Sequence, residues 1–243
     1  ILGAIAQSDI KRVLSFTLVS HIGFMLFGIA IGSELAIAGA IFYIVHHITV
    51  QTTLFLVAGL VEFRSGTTNL DLLGGLARYA PLLALMFFVP AMNLAGIPPF
   101  SGFLAKLAIL QSGAADGSAL ALAAVVAAIA TSLLTLYAMA KIWNRAFWQP
   151  LGEYESDTPV PLAPEKAGGS LYGGSGVSTM TQRETSWTEA SEDARLPLRM
   201  ALPTVALGAV MLSLTLLGGP MFQLCERAAD ELSDPTIYIQ AVL

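Results

Sequence analysis

Apolar residues fall in long runs along the chain, not in short alternating or amphipathic stretches. Five blocks stand out: Val13 to Gly32, Leu35 to Val61, Tyr79 to about Leu110, Ser118 to about Trp143, and Met200 to Leu217. Most are near or above the roughly 20 residues that a helix needs to cross the hydrocarbon core. The pattern predicts an all-α integral membrane protein with about five transmembrane helices. Residues Ile1 to Gln7 read as the tail of an earlier span. The chain opens on Ile in mid-run, so the expectation is the C-terminal part of a longer membrane protein.

The third block is interrupted by Gly96-Ile97-Pro98-Pro99. It is either a hairpin of two short helices or one crossing broken in the middle. Charge separates these readings, because cytoplasmic loops carry an excess of Lys and Arg. With one crossing, Lys11, Arg12, Arg64, Arg78, Lys141, Arg145 and Arg199 all fall on one side. The opposite loops, at Ser33-Glu34 and about Gly113 to Gly117, then hold no Lys or Arg. With two crossings, Lys141, Arg145 and Arg199 move to the outer face. A single broken crossing is therefore predicted, with Lys11 and Arg12 cytoplasmic and the C-terminal tail outside.

Unwound backbone in a bilayer is tolerated only inside protein or beside a wet cavity. Pro98 and Pro99 remove two donors, and Gly96 and Gly102 add conformational freedom. Broken helices with a nearby charge are features of ion and substrate pathways. Here the charge is Lys106, in the half-helix after the break. Apolar residues surround it, and an ammonium there is costly. The functional reading is a proton-relay Lys; the bland one is a Lys that snorkels to the outer interface.

Polar residues inside the other spans extend the picture. His46 and His47 sit near the middle of the second block, and Tyr43, His47 and Gln51 recur at i, i+4, i+8 on one face. His46, Thr49 and Thr53 form a neighbouring stripe. Two adjacent His point about 100° apart on a helix, so they do not suit one metal ion. One relay and one structural His is the expectation. His21, close to Ser20 and Thr17, is either a relay or an interhelical hydrogen-bonding group. Lys11 and Arg12 suit interface anchors, Lys11 and Tyr43 are further candidates for the proton path beside His46, His47 and Gln51, and Asp9 is placed to pair with either Lys11 or Arg12. Glu62 and Arg64 read as interface charges, Asn93 as a group that satisfies freed backbone at the break, and Lys141 as a snorkelling Lys.

Composition narrows the function classes. Over 243 residues, 55% are hydrophobic and only 12% charged, with a mean hydropathy of +0.71. This excludes a typical soluble domain and a nucleic-acid binder. One Cys, Cys225, excludes an intrachain disulfide framework, and three His leave little room for a zinc enzyme. No metal site and no cofactor are expected. Between about Gln149 and Leu198 the chain turns Gly-, Ser-, Thr- and Pro-rich, with eight acidic and three basic residues. Its glycines do not match a phosphate-binding loop. A flexible cytoplasmic linker is expected there. The resulting division is a membrane domain over 1–147, the linker over 148–198, and a final transmembrane helix with a short outer tail over 199–243.

Three segments resemble a known family. Asp9, Lys11, Arg12 and Leu14, followed by Ser20, Gly23 and Met25, resemble a D-x-K-R-x-L-A-Y-S…S-Q-x-G-Y-M segment. His47 to Gly59 is similar to H-x-x-x-K-x-x-L-F-L-x-x-G. Gly96 to Lys106 is similar to G-x-P-P-x-x-G-F-x-x-K. These belong to the family shared by Mrp-type multisubunit Na⁺/H⁺ antiporters and the antiporter-like subunits of respiratory complex I. The match covers about residues 1–145.

The resemblance implies a subunit of about fourteen helices with two inverted repeats, of which this chain carries part of the second. It implies that Lys106 is the Lys of the discontinuous helix, and that His46 or His47 belongs to a central hydrophilic axis. Gln51 departs from the Lys that many relatives carry; it hydrogen-bonds but does not titrate as Lys does, so its place on the proton path is as a hydrogen-bonding group. The implied role is a monovalent cation/proton antiporter subunit in a cell membrane, multi-pass and bacterial. Its partners would be other membrane subunits, H⁺, Na⁺ and lipid. The alternatives are a proton-pumping subunit of an NADH:quinone oxidoreductase-like complex, and a helix-packing scaffold.

Overall fold

A computed structural model describes residues 1–150, 198–233 and 236. Except for residues 148–150 and 198, the expected linker lies outside the described residues, as does the closing segment 237–243. The described residues form α1 (Leu2–Ala6), α2 (Ile10–Ile31), α3 (Glu34–Ser65), α4 (Leu76–Tyr79), α5 (Pro81–Ala95), α6 (Ser101–Asp116) and α7 (Ala119–Ile142). A π-helical turn, Trp143–Trp148, extends α7, so the helix runs one residue past the expected domain boundary. The chain resumes with α8 (Leu198–Leu216) and α9 (Gly218–Ser233).

Local signals set the helix ends. The Asp9 carboxylate accepts from Arg12 N–H at 3.0 Å to open α2, and so serves as a cap. Gly32 and Gly66 close α2 and α3 in the left-handed region, at φ 70° each. Four described helices are long and apolar enough to cross a membrane: α2, α3, α7 with its π-turn, and α8.

The 32-residue α3 is the axis of the bundle and contacts α2, α5, α6, α8 and α9. Its C-terminal half packs Val50, Leu54, Val57 and Val61 in one apolar cluster with Leu83, Phe87, Ala91 and Leu94 of α5. Its N-terminal half packs Ala38 and Phe42 with Ala105 and Ile109 of α6. Gly39 lets α6 in closely: a Cβ there would lie 3.1 Å from the Ala108 methyl. So α5 and α6 lie end to end along one helix, as a single broken crossing requires; a hairpin would lay both against the same half.

Charges gather where α2 begins and α3 ends. Lys11 pairs with Glu62 at 2.6 Å and Arg145 with Asp71 at 2.5 Å, all four side chains being well exposed. Asp9 caps α2 and takes a hydrogen bond from Thr68 at 2.5 Å. Lys141, expected to snorkel, instead donates to Ile5 O and Gln7 O at 2.7 Å each. It caps the C-terminal end of α1, where a cation is favoured by the unpaired carbonyls.

The last span differs from its expectation. Its apolar block ends near Leu216, but the chain continues directly as α9 and not as a short tail. Cys225 and Ala229 are buried in the cluster that holds Phe24, Phe42 and Ile109, and the Phe222 ring meets Phe42 edge-on at 5.7 Å. Glu226, Arg227, Asp230 and Glu231 stay exposed. Charges at helical spacing interrupt an apolar run, so run length conceals such a helix, whereas a period of 3.6 reveals it.

Tight glycine contacts are testable. A Cβ on Gly28 would meet Ala36 O at 2.9 Å and the Ala40 methyl at 3.0 Å, whereas one on Gly59 would meet nothing within 4 Å. Gly28→Val is expected to destabilise the α2–α3 pair by about 1–3 kcal/mol, and Gly59→Ala to be near neutral. Thermal melting of the intact complex in detergent checks both.

Candidate functional site

The site is built around the break between α5 and α6. Gly96 closes α5 at φ +82°, a conformation suited to glycine. Its N–H returns to Asn93 O at 3.1 Å, and the N–H of Ile97 returns to Met92 O at 3.3 Å. The carbonyls of Leu94 and Ala95 then receive hydrogen bonds from Lys106, whose Nζ lies 3.1 and 3.3 Å from them. Lys106 is 4% exposed and does not snorkel. Its ammonium caps the negative end of α5, a helix-terminus ion site within the fold. A Cβ on Gly96 would lie 3.0 Å from Lys106 Cδ, so this glycine also makes room for the side chain.

The start of α6 is capped from other elements. Asn93 Oδ1 accepts from Gly102 N–H at 3.0 Å, as the sequence suggested. Thr215 Oγ1 of α8 accepts from Ser101 N–H at 3.4 Å. Gly102 sits at the tightest approach in this region, since a Cβ there would fall 2.2 Å from Asn93 O and 2.8 Å from His46 Nε2. Pro98 and Pro99 complete the unwound turn and supply no N–H.

The imidazoles lie beside this break. The His46 Nδ1 atom is 3.0 Å from Ser101 Oγ. The Ser101 hydroxyl also lies 3.4 Å from Asn93 Oδ1, so it stands between the imidazole and the amide. The other His46 nitrogen, Nε2, is buried and without a partner. His47 points the other way, into a cluster with Tyr43 and His21. The His47 ring lies 5.1 Å from His21 and 5.9 Å from Tyr43, and Tyr43 stacks on His46 at 5.7 Å. The Lys106 ammonium stands 5.1 Å from the centroid of Phe24, which touches both His21 and Tyr43.

The geometry thus gathers Lys106, His46, His47, Tyr43, His21, Gly96, Pro98, Pro99 and Gly102 into one region. Gln51 is buried but turned to α2, where its amide donates to Leu14 O at 2.7 Å and its Oε1 stays unpartnered. Lys11 does not join the cluster, because its pairing with Glu62 holds it at the charged end of the bundle. Sequence patterns did not single out Ser101 or Thr215. Ser101 directly follows the Pro-Pro-Phe turn, a position that signals a cap, whereas Thr215 meets it only through tertiary packing. Among the described residues no group of three or more His, Cys, Asp or Glu could hold a metal ion.

Residues 1–135 match the family described as NADH:quinone oxidoreductase/Mrp antiporter, TM. The chain belongs to this family. It is 38% identical over 243 residues to the D-type subunit of the Na⁺/H⁺ antiporter of Alkalihalophilus pseudofirmus, a match over all of this chain and 42% of that protein. A chain in the structure of the Mrp complex from Dietzia sp. DQ12-45-1b is also 38% identical, with a TM-score of 0.77 over all of this chain and 46% of its own length. A chain of respiratory complex I from Thermus thermophilus shares the fold at a TM-score of 0.59 and 23% identity, over 93% of this chain and 40% of that one. The chain therefore spans less than half the length of these relatives. It is a multi-pass membrane protein of the antiporter-like class.

The hydrogen bond at the α6 start yields a prediction. Asn93→Ala removes the acceptor of Gly102 N–H in a buried site, and is expected to cost about 1–3 kcal/mol. The melting temperature of the intact complex should fall, while Asn93→Asp, which keeps an acceptor oxygen, should lose less.

Proposed function

We propose that the chain is part of a monovalent cation/proton antiporter subunit of the D type, working in a multisubunit Mrp complex of a bacterial cell membrane. Lys106 is the proton carrier at the break. His46 and His47 extend the path along α3, with Tyr43 against both rings and Gln51 further along, holding α2 through Leu14 O. The observation that carries this reading is the Lys106 amine, 4% exposed and resting on the Leu94 and Ala95 carbonyls. A primary amine held by neutral acceptors loses a proton without leaving a buried carboxylate unpaired.

Sodium as the exchanged ion, and other membrane subunits as partners, come from the names of the relatives. The alternative is a proton-pumping subunit of an NADH:quinone oxidoreductase-like assembly. Identity of 38% to the Mrp-type relatives, against 23% to the complex I chain, favours the antiporter. Co-purification separates them, since the alternative requires a flavin and Fe–S arm.

In inverted vesicles carrying the intact complex, Lys106→Ala is expected to lower Na⁺-dependent ΔpH by roughly a hundredfold, the scale of a positioned proton-transfer group. Assembly is read from subunit stoichiometry, and Lys106→Gln, which keeps a donor for the Leu94 and Ala95 carbonyls but carries no titratable amine, should assemble as the wild type does and still lose exchange. Wild-type exchange with Lys106→Ala would make Lys106 a structural cap and favour the scaffold reading.

A further inference from the structure

His21 on α2 is fully buried, and its surroundings fix its chemistry. Its Nε2 lies 3.3 Å from Thr135 Oγ1 on α7. Thr135 gives its only hydroxyl proton to Thr131 O at 2.8 Å, so its oxygen accepts and His21 Nε2 carries the N–H. The other nitrogen, Nδ1, is bare, buried and without a partner. The ionisable groups facing His21 are His47 and Tyr43 of α3, with Lys106 of α6 on the far side of Phe24. From α7 it meets Thr135.

The next residues along both helices open into a groove. Between α2 and α7 lies a half-open, mainly apolar groove of about 240 Å³, lined by Gly23, Phe24, Phe27 and three alanines, with Ser20 and Thr131 as its polar side chains. Phe24 lines this groove and also touches the Lys106 ammonium, so one ring separates the groove from the buried amine. A space of this size holds several waters, and Ser20 and Thr131 offer them hydroxyls.

We infer that His21, Thr135 and the groove between α2 and α7 form a hydrated side branch of the proton path, with Phe24 as the partition between groove and lysine. This rests on the proton-path reading of Lys106. His21 takes a proton at Nδ1 from the His47 side and releases the Nε2 proton to Thr135 Oγ1. Thr135, itself fully buried, passes its own hydroxyl proton to water entering at Thr131, one turn along α7 on the groove wall, so one proton enters and one leaves. The ring is left as the Nδ1–H tautomer, and the Nε2–H form returns when Nδ1 gives up its proton and Nε2 takes one. Phe24 keeps the ammonium from solvent in the groove, so protons reach it through the imidazoles.

The test uses the intact complex in inverted and right-side-out vesicles, in a Cys225→Ala background. Single Ser20→Cys and Thr131→Cys variants are exposed to a small charged methanethiosulfonate, with Leu133→Cys on the exposed apolar face of α7 as control. Both groove positions are expected to react and the control not to; a groove no more reactive than Leu133→Cys overturns the branch. In parallel, His21→Gln keeps a donor for Thr135 but cannot relay a proton, and Thr135→Val removes the acceptor at nearly constant volume. Each is expected to slow exchange about tenfold, an intermediate effect between wild type and Lys106→Ala. Wild-type rates in both, with exchange still lost in Lys106→Ala, overturn the branch and leave the main path standing. Exchange retained in Lys106→Ala instead overturns the reading beneath it.

Discussion

A helix that stops in mid-membrane exposes carbonyls to an environment without water, and the fold is organised around satisfying them. Two carbonyls at the end of α5 are taken up by the ammonium of Lys106. Each unsatisfied backbone group in hydrocarbon costs several kcal/mol, so the break and the lysine depend on one another. The amine supplies the missing donors, and the carbonyls make a buried cation tolerable. Asn93 performs the converse service at the start of α6, offering an acceptor to the Gly102 N–H. The glycines at 96 and 102 allow these groups to approach, and α3 holds both halves in line.

The same arrangement explains why two neighbouring histidines differ. His46 faces the break and is fixed through Ser101, whereas His47 faces α2 and the His21–Tyr43 cluster. No hydrogen bond joins these rings: His21 Nδ1, His46 Nε2 and His47 Nε2 are buried and without a partner. Proton passage between these rings requires water or ring rotation. The unpartnered nitrogens of His21, His46 and His47 are the sites such a step would use.

Much of this was legible in the sequence for definite reasons. The spans follow from run length, and the broken crossing from the Pro-Pro turn together with the distribution of Lys and Arg. Lys106 and the paired imidazoles were conspicuous because charge and titratable groups are rare in apolar runs. What the sequence concealed depends on partners distant along the chain. Nothing near Lys141 indicates that it caps α1, or that Gln51 turns to Leu14 and away from His47. The helix α9 escaped because its charged face broke the apolar run. Ser101 and Thr215 are ordinary hydroxyls until α8 is placed against α6.

The length of α3 ties the break to the membrane itself. At 32 residues it measures roughly 48 Å, well beyond a hydrocarbon core of roughly 30 Å. Such a helix leans or stands proud of the lipid at one end. Its N-terminal half holds α6 and its C-terminal half holds α5, so when the helix leans both halves of the broken crossing lean with it. The Lys106 amine and the carbonyls it caps ride on one support, and their depth in the bilayer follows the tilt of a single helix.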